Sequence, residues 1–326
     1  MVETFTFADL FAGIGGMRLA YEEVGGECVL TSEINEKARV TYKAQQWKSN
    51  RDDHIYVDDV VALGNMSRLK IPKHDVLLAG FPCQPYSIAG LRQGLEDEKG
   101  RGQVFISILD ILKKAKPKAF MLENVKGMRS HDDGETIKYM RKRLGRCGYD
   151  IFGPHDMNSM THGGVPQNRE RVFIVGFRKN LEIDDFLFPD PIPLEKSMRD
   201  LLDTGSVADR YFYDERFGCY AEIQKAVVST DTAYQWRRKY VRENKSNVCP
   251  ALTANMGSGG HNVPLVKVDG GIRKLTPREC ANFQGFPDTF VLPETLADSH
   301  LYHQFGNSVT VPLIQRIAEQ IKEALP

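Results

Sequence analysis

The sequence predicts an α/β fold: a mixed sheet with helices on both faces, joined to a small, mostly irregular or β domain. Three observations carry this expectation. Short apolar runs alternate with amphipathic stretches of helical period through residues 1–186, the rhythm of strands and helices in alternation. The first strand-to-helix junction is rich in glycine, Gly13-Ile14-Gly15-Gly16. From about Leu187 the rhythm lapses, Pro189, Pro191 and Pro193 mark a linker, and order returns near residue 273. The expected units are residues 1–186 for the main domain, 187–272 for the small one, and 273–326 for a return to the first.

Thr4 to Leu10 alternates apolar and polar residues and reads as a strand. It enters the glycine turn, and Met17 to Val24 follows at helical spacing. Glycines let a backbone approach a ligand there, and a helix N-terminus favours negative charge. The spacing is G-x-G-G, with Arg18 where a third glycine would complete a dinucleotide fingerprint. A second strand, Cys28 to Ser32, ends in Glu33, where a carboxylate can accept from ribose hydroxyls. A ribose-bearing ligand that is not a dinucleotide points to S-adenosylmethionine.

A helix over Asn35–Gln46 and a short strand over Ile55–Val57 follow, the latter ending in Asp58-Asp59, where an acid can accept from an adenine amino group. A fourth strand, Val76 to Gly80, delivers Phe81-Pro82-Cys83-Gln84 to a loop carrying Gly90, Gly94, Gly100 and Gly102. That loop is expected to act as a lid. An amphipathic helix over Val104–Lys114, stopped by Pro117, leads to a fifth strand, Ala119–Leu122, which delivers Glu123-Asn124-Val125. A carboxylate at a central strand end is costly to bury unless paired, and open α/β sheets place ligands at such ends. Cys83 and Glu123 are therefore expected at neighbouring strand ends facing one crevice. After a helix over Asp133–Cys147, Arg169 and Arg171 flank Glu170 at the start of a strand over Val172–Phe177. They point the same way, and one is expected to pair with Glu123 or with a substrate oxygen.

In the small domain, residues 236–245 hold five basic residues, one acid and two aromatics. Arg237, Arg238 and Arg242 in this cluster suit phosphate contacts and the reading of guanine. Thr276-Pro277-Arg278-Glu279 is a capping box with proline at the first helical position. It starts a helix expected to turn Cys280 and Phe283 inward and to end near Gly285. The apolar helix Val311–Ala324 is expected to fold back on the first domain, because its apolar face needs a sheet to cover.

Charges balance, 43 Lys+Arg against 43 Asp+Glu, so net charge does not select a partner. No apolar run reaches the length of a membrane span, and no signal peptide is read at the start. Six scattered cysteines without a C-x-x-C pair argue against a disulfide scaffold or zinc and fit a reducing cytoplasm.

A reactive cysteine, a carboxylate, an arginine and a methyl-donor turn fit one reaction class. Carbon 5 of a pyrimidine becomes nucleophilic once a thiolate has added to carbon 6. The sequence resembles the bacterial DNA (cytosine-5) methyltransferases of the compact restriction-modification type. The motifs that carry the resemblance are D-L-F-A-G-I-G-G at 9–16, G-F-P-C-Q at 80–84, E-N-V at 123–125 and Q-N-R-E-R at 167–171, then R-K-L-T-P-R-E-C at 273–280 with Q-G-F-P at 284–287, and G-N-S-V at 306–309.

The resemblance implies a Rossmann-like S-adenosylmethionine-dependent methyltransferase fold, with residues 187–272 as a target recognition domain. It implies base flipping, Cys83 as nucleophile, Glu123 protonating ring N3, and Arg169 and Arg171 framing the cytosine. Phe11, Gly13, Gly15, Gly16, Glu33, Ile34, Asp59, Val60, Pro82 and Asn307 would bind S-adenosylmethionine. Ser87, Arg92, Arg101, Arg237, Arg238, Arg242 and Thr253 would meet DNA, although Ala254 follows Thr253 where the family usually has a larger aliphatic residue. The implied partner is double-stranded DNA, bound by a cytoplasmic monomer without metal or membrane. A cognate restriction endonuclease would be a genetic partner rather than a physical one. Two other readings stay open: methylation of transfer-RNA cytosine, and a catalytically silent DNA-binding relative.

Overall fold

The computed structural model describes residues 4–65, 71–82, 101–244, 247–258 and 262–326. Strands β1 (Phe5–Leu10), β2 (Gly26–Ser32), β3 (Ile55–Val57), β4 (Val76–Gly80) and β5 (Ala119–Val125) are mutually parallel, in the order β3-β2-β1-β4-β5. Strand β6 (Tyr149–Asn158), the two-residue β7 (Gln167–Asn168) and β8 (Glu170–Arg178) follow. β8 lies antiparallel between β5 and β6, which makes the sheet mixed. The order reverses beside β1, and a crevice opens there beyond the carboxyl ends of the strands.

Alternation along β1 divides the core in two, because successive side chains point to opposite faces. Phe5 and Phe7 pack with Met17, Ala20 and Tyr21 of helix α1 (Gly16–Glu23). Ala8 and Leu10 belong to the other cluster, with residues of three further helices, α2 (Glu36–Lys43) lying elsewhere. They are Val60 and Leu63 of α3 (Val60–Asn65), Phe105, Ile108 and Leu112 of α4 (Arg101–Ala115), and Met140 and Leu144 of α5 (Glu135–Arg146). Helix α6 (Asp298–Asn307) and helix α7 (Val311–Ala324) close the chain. As expected, α7 returns to the first face: Ile314, Ile317 and Ile321 are buried in the cluster that holds α1. Each such side chain contributes about 1.5–3 kcal/mol by leaving water. The Lys322 ammonium donates to the Val24 carbonyl at 2.7 Å and ties the two helices.

A second, antiparallel sheet has the order β10-β9-β12-β13, from β9 (Tyr234–Trp236), β10 (Val241–Glu243), β12 (Leu265–Val268) and β13 (Gly271–Lys274). Its small core is Ile223, Val227, Tyr234, Leu265 and Ile272. Between these strands, β11 (Cys249–Pro250) leaves that sheet and pairs in parallel with β7. The proline-rich stretch is strapped down rather than loose. Phe186 and Phe188 stack among Phe152, Phe177 and His155, and Ile192 N donates to Thr161 O at 2.7 Å.

Most elements fall where the pattern places them, and the boundaries differ for physical reasons. β5 runs on from Leu122 to Val125 because β8 pairs with it throughout, Glu123 against Phe173 and Val125 against Arg171. Helix α5 begins at Glu135, not Asp133, because Asp132, Asp133 and Gly134 all have positive φ. The capping box forms with both reciprocal bonds, and its helix covers Pro277–Asn282, ending short of Gly285. Cys280 and Phe283 are fully buried. Glu279 does more than cap: it accepts from both Nη atoms of Arg273, at 2.7 and 2.6 Å, and from Asp203 N at 2.8 Å.

Candidate active site

The carboxyl ends of β1, β2, β4 and β5 open on a cavity of about 330 Å³. Its wall includes Phe11, Gly13, Gly16, Glu33, Ile34, Pro82, Glu123, Arg169, Arg171 and Asn307. The sequence expectation therefore brings ten of its residues to one place. Gly15 lies in the turn itself, and Trp47 packs so closely against it that no Cβ fits.

The turn begins with Phe11, whose φ of 58° is unusual for an aromatic residue and costs on the order of 1 kcal/mol. Such strain persists where surrounding structure enforces it. Gly13 also has φ of 58°, and a Cβ there would meet nothing within 4 Å, so its backbone faces open space. Glu33 is held in place by two backbone donors: Gly13 N at 2.7 Å to Oε2 and Asn35 N at 2.7 Å to Oε1. Ile34 beside it is two-thirds exposed, an apolar surface with no protein cover. An open glycine cradle, a fixed carboxylate and two apolar side chains, Phe11 and Ile34, suit an adenosine-bearing group. Asp59 and Val60 do not reach this wall. Asp59 Oδ1 accepts from Val61 N at 2.8 Å at the start of α3, and Val60 is buried in the core.

At the other end of the cavity, Gly80 pairs with Glu123 across β4 and β5. Asn124 Nδ2 donates to Phe81 O at 2.9 Å and fixes the chain where it leaves β4. Glu123 is 9% exposed, and Arg171 Nε lies 3.0 Å from its Oε1. Burial pushes the Glu123 carboxyl above its ordinary value, while Arg171 and Arg169 pull the other way. A carboxyl poised in this manner can carry a proton to a ring nitrogen. Arg169 is only 2% exposed. Its guanidinium donates to Leu252 O at 2.6 Å, Gly306 O at 3.2 Å and Ser308 O at 2.5 Å.

Cys83, Ser87 and Arg92 lie outside the described residues, as does the side chain of Arg101, whose backbone opens α4. The other five cysteines are free, and burial pushes each thiol up. None of the five lines the cavity. Arg237, Arg238 and Arg242 are exposed on the β9–β10 hairpin. Thr253 is exposed where its peptide to Ala254 presses on Gly306.

Sequence reasoning gave no role to four residues. Asn124 stood in plain view as a polar residue inside an apolar strand. His303 lines the cavity and lies 3.0 Å from Asn307 Nδ2; a lone histidine on a helix carried no signal. Gln304 bonds Lys37 O and Thr41 Oγ1 of α2, at 2.9 and 2.8 Å, and ties α2 to α6. Asp9 is fully buried on β1, both oxygens lacking a hydrogen-bond partner, and burial raises it to about 8 against the opposing charge of Arg18.

Sheet order, glycine turn and strand-end cavity together define an α/β methyltransferase. The chain matches the model of the C-5 cytosine-specific DNA methylase family over residues 5–323. It belongs to that family of DNA (cytosine-5) methyltransferases. It is 48% identical to the type II methyltransferase M.Bsp6I of Bacillus sp. (strain RFL6) over 321 residues, 98% of each chain. It is 37% identical to M.HpaII of Haemophilus parainfluenzae, covering 99% of this chain and 90% of that one. For M.HhaI of Haemophilus parahaemolyticus the figures are 35%, 98% and 94%. Among solved structures, the Dnmt2 methyltransferase of S. pombe has the same fold, with TM-score 0.70 at 17% identity, covering 98% of this chain and 99% of that one. Among the described residues, no helix is long and apolar enough to cross a membrane.

Proposed function

We propose that this enzyme methylates carbon 5 of one cytosine in a short duplex sequence, with the base flipped into the cavity beside Glu123. The pairing of Gly80 with Glu123 carries the reading. It sets the strand that leads to Cys83 directly beside a buried carboxyl whose proton affinity is raised. The Cys83 thiolate adds to carbon 6 of the cytosine. Glu123 donates a proton to N3 and accepts from the 4-amino group, which draws electrons from carbon 6. Arg171 sits by the 2-oxo group and stabilises negative charge there. Carbon 5, now enamine-like, takes up the methyl group; loss of the carbon 5 proton and departure of Cys83 restore the ring.

Bound S-adenosylmethionine supplies the electrophilic methyl. Gly13, Gly15 and Gly16 would receive it with Glu33 at the ribose, Phe11 and Ile34 at the adenine, and Pro82 and Asn307 toward the base. Residues 187–272 read the target, with Arg237, Arg238, Arg242 and Thr253 toward DNA, and Ser87, Arg92 and Arg101 add phosphate contacts. The enzyme works as a cytoplasmic monomer within a restriction-modification system, where an endonuclease is a genetic rather than a physical partner.

The deciding assay is transfer of labelled methyl groups to duplex DNA and to transfer RNA, with Cys83→Ser alongside. Labelling of DNA by the wild type and none by Cys83→Ser is the expected result. Labelling of RNA alone, or full activity in Cys83→Ser, would overturn the reading.

A further inference from the structure

Arg169 is oriented unlike a residue whose work is to touch a base. Its Nη1 and Nη2 are directed into three backbone carbonyls, from two segments distant in sequence. A buried guanidinium needs such partners to offset lost hydration. Two residues earlier, Gln167 Oε1 accepts from Leu252 N at 3.0 Å, and its Nε2 donates to Phe283 O at 2.5 Å. Both backbone polar groups of Leu252 are therefore gripped by side chains of one short segment. The β7–β11 pairing, Gln167 with Cys249 and Asn168 with Pro250, lays the two segments side by side. Beyond Leu252, the Thr253–Ala254 peptide rests on Gly306, a wall residue of the cavity, with no room for a Cβ between them.

We propose that Gln167 and Arg169 are positioning residues that clamp Leu252 and so fix Thr253 at the mouth of the base cavity, coupling sequence choice to methyl transfer. The proposal rests on the reading of the site given above. The clamp ties the segment that follows the reading hairpin to the wall that receives the flipped base. DNA bound out of register with the hairpin then meets Thr253 in the wrong place. Lysine at 169 keeps a charge but loses the fork that spans three carbonyls. Methionine at 167 keeps the volume and loses all three bonds, to Leu252 N, Phe283 O and Gln284 Oε1.

The test uses the whole enzyme after its target site has been mapped by sequencing methylated DNA. The specificity constant kcat/KM is measured on the mapped site and on a site with one altered base pair, for wild type, Arg169→Lys and Gln167→Met. Amide exchange is followed over residues 249–256. We expect the ratio of the two specificity constants to fall about tenfold, on the scale of one mismatched pair. Exchange over 249–256 should quicken more than exchange in the main sheet, with a lowered thermal midpoint because buried polar groups lose their partners. An unchanged ratio in both variants, even with lowered kcat, overturns the proposal and assigns Arg169 to the base chemistry instead. If Arg169→Lys does not fold, Gln167→Met decides alone, since it leaves every Arg169 bond in place. If the wild type methylates no DNA, the functional reading fails; exchange then judges the clamp, and unchanged protection in the variants rejects it.

Discussion

Two of the buried arginine–glutamate pairs among the described residues, Arg273–Glu279 and Arg171–Glu123, are built to opposite ends. Glu279 faces Arg273 with both carboxylate oxygens engaged, and accepts further from Asp203 N and Thr276 N. Their side chains are 0% and 1% exposed. Arg171 Nε lies 3.0 Å from Glu123 Oε1, and side-chain exposures of 16% and 11% leave the pair open to the cavity. Burial outweighs both neighbouring arginines there and raises the carboxyl. The same chemical partners make a latch where both carboxylate oxygens are filled from the core, and at Glu123 they leave a carboxyl whose proton affinity is raised beside a cavity.

The largest effect expected from breaking this symmetry is at Glu123. Glu123→Gln keeps the shape but holds no transferable proton, and should lower methyl transfer by about 10²–10⁴-fold while leaving the thermal midpoint nearly unchanged. A loss of stability with little loss of rate would make Glu123 a latch like Glu279. The converse change, Arg273→Met, strands Glu279 in the core. It should cost about 3–5 kcal/mol of stability, seen as a lower denaturant midpoint, with kcat per folded molecule preserved.

Acidity separates the two regions further. Asp9, like Glu123, has a folded value raised above the unfolded one, here to about 8. The folded state binds the proton more tightly, so its stabilising contribution is complete below about pH 4 and is lost as pH rises through about 8. Asp9→Asn should flatten the fall of the thermal midpoint between those limits. A fall as steep as in wild type would mean the carboxyl is not the group that titrates. The smallest effect is at the surface. Replacing Arg237, Arg238 or Arg242 singly by alanine should change the slope of log affinity for DNA against log salt by about 0.9 for each phosphate left without its cation. A slope that does not move would place the hairpin away from the backbone.

Periodicity and strand-end chemistry made the main sheet legible. Val76–Gly80 appears as read, because a buried parallel strand is a short apolar run and little else, and Ile55–Val57 appears as a half-buried edge strand. The meeting of Glu33 with Gly13 and of Arg171 with Glu123 was also within reach, since strand order in such sheets is restricted. What stayed hidden depends on contacts across long separations. No local pattern says that Arg169 donates to Leu252, Gly306 and Ser308, or that Gln304 bridges to α2. Asp9 escaped for another reason: a polar residue in an alternating strand suggests solvent, yet α1 covers that face.

The return of α7 to α1 has a consequence for synthesis. The face of the sheet that carries the glycine turn is covered by the first helix and by Ile314, Ile317 and Ile321 of the last. A chain still on the ribosome and not yet past residue 311 leaves the part of that face meant for Ile314, Ile317 and Ile321 uncovered, and exposed apolar surface of this kind invites misassembly. The half that carries the glycine turn is thus completed only after residues 187–272 have been made. A chain that ends before residue 303 also lacks His303, Gln304 and Asn307, and with them one wall of the cavity.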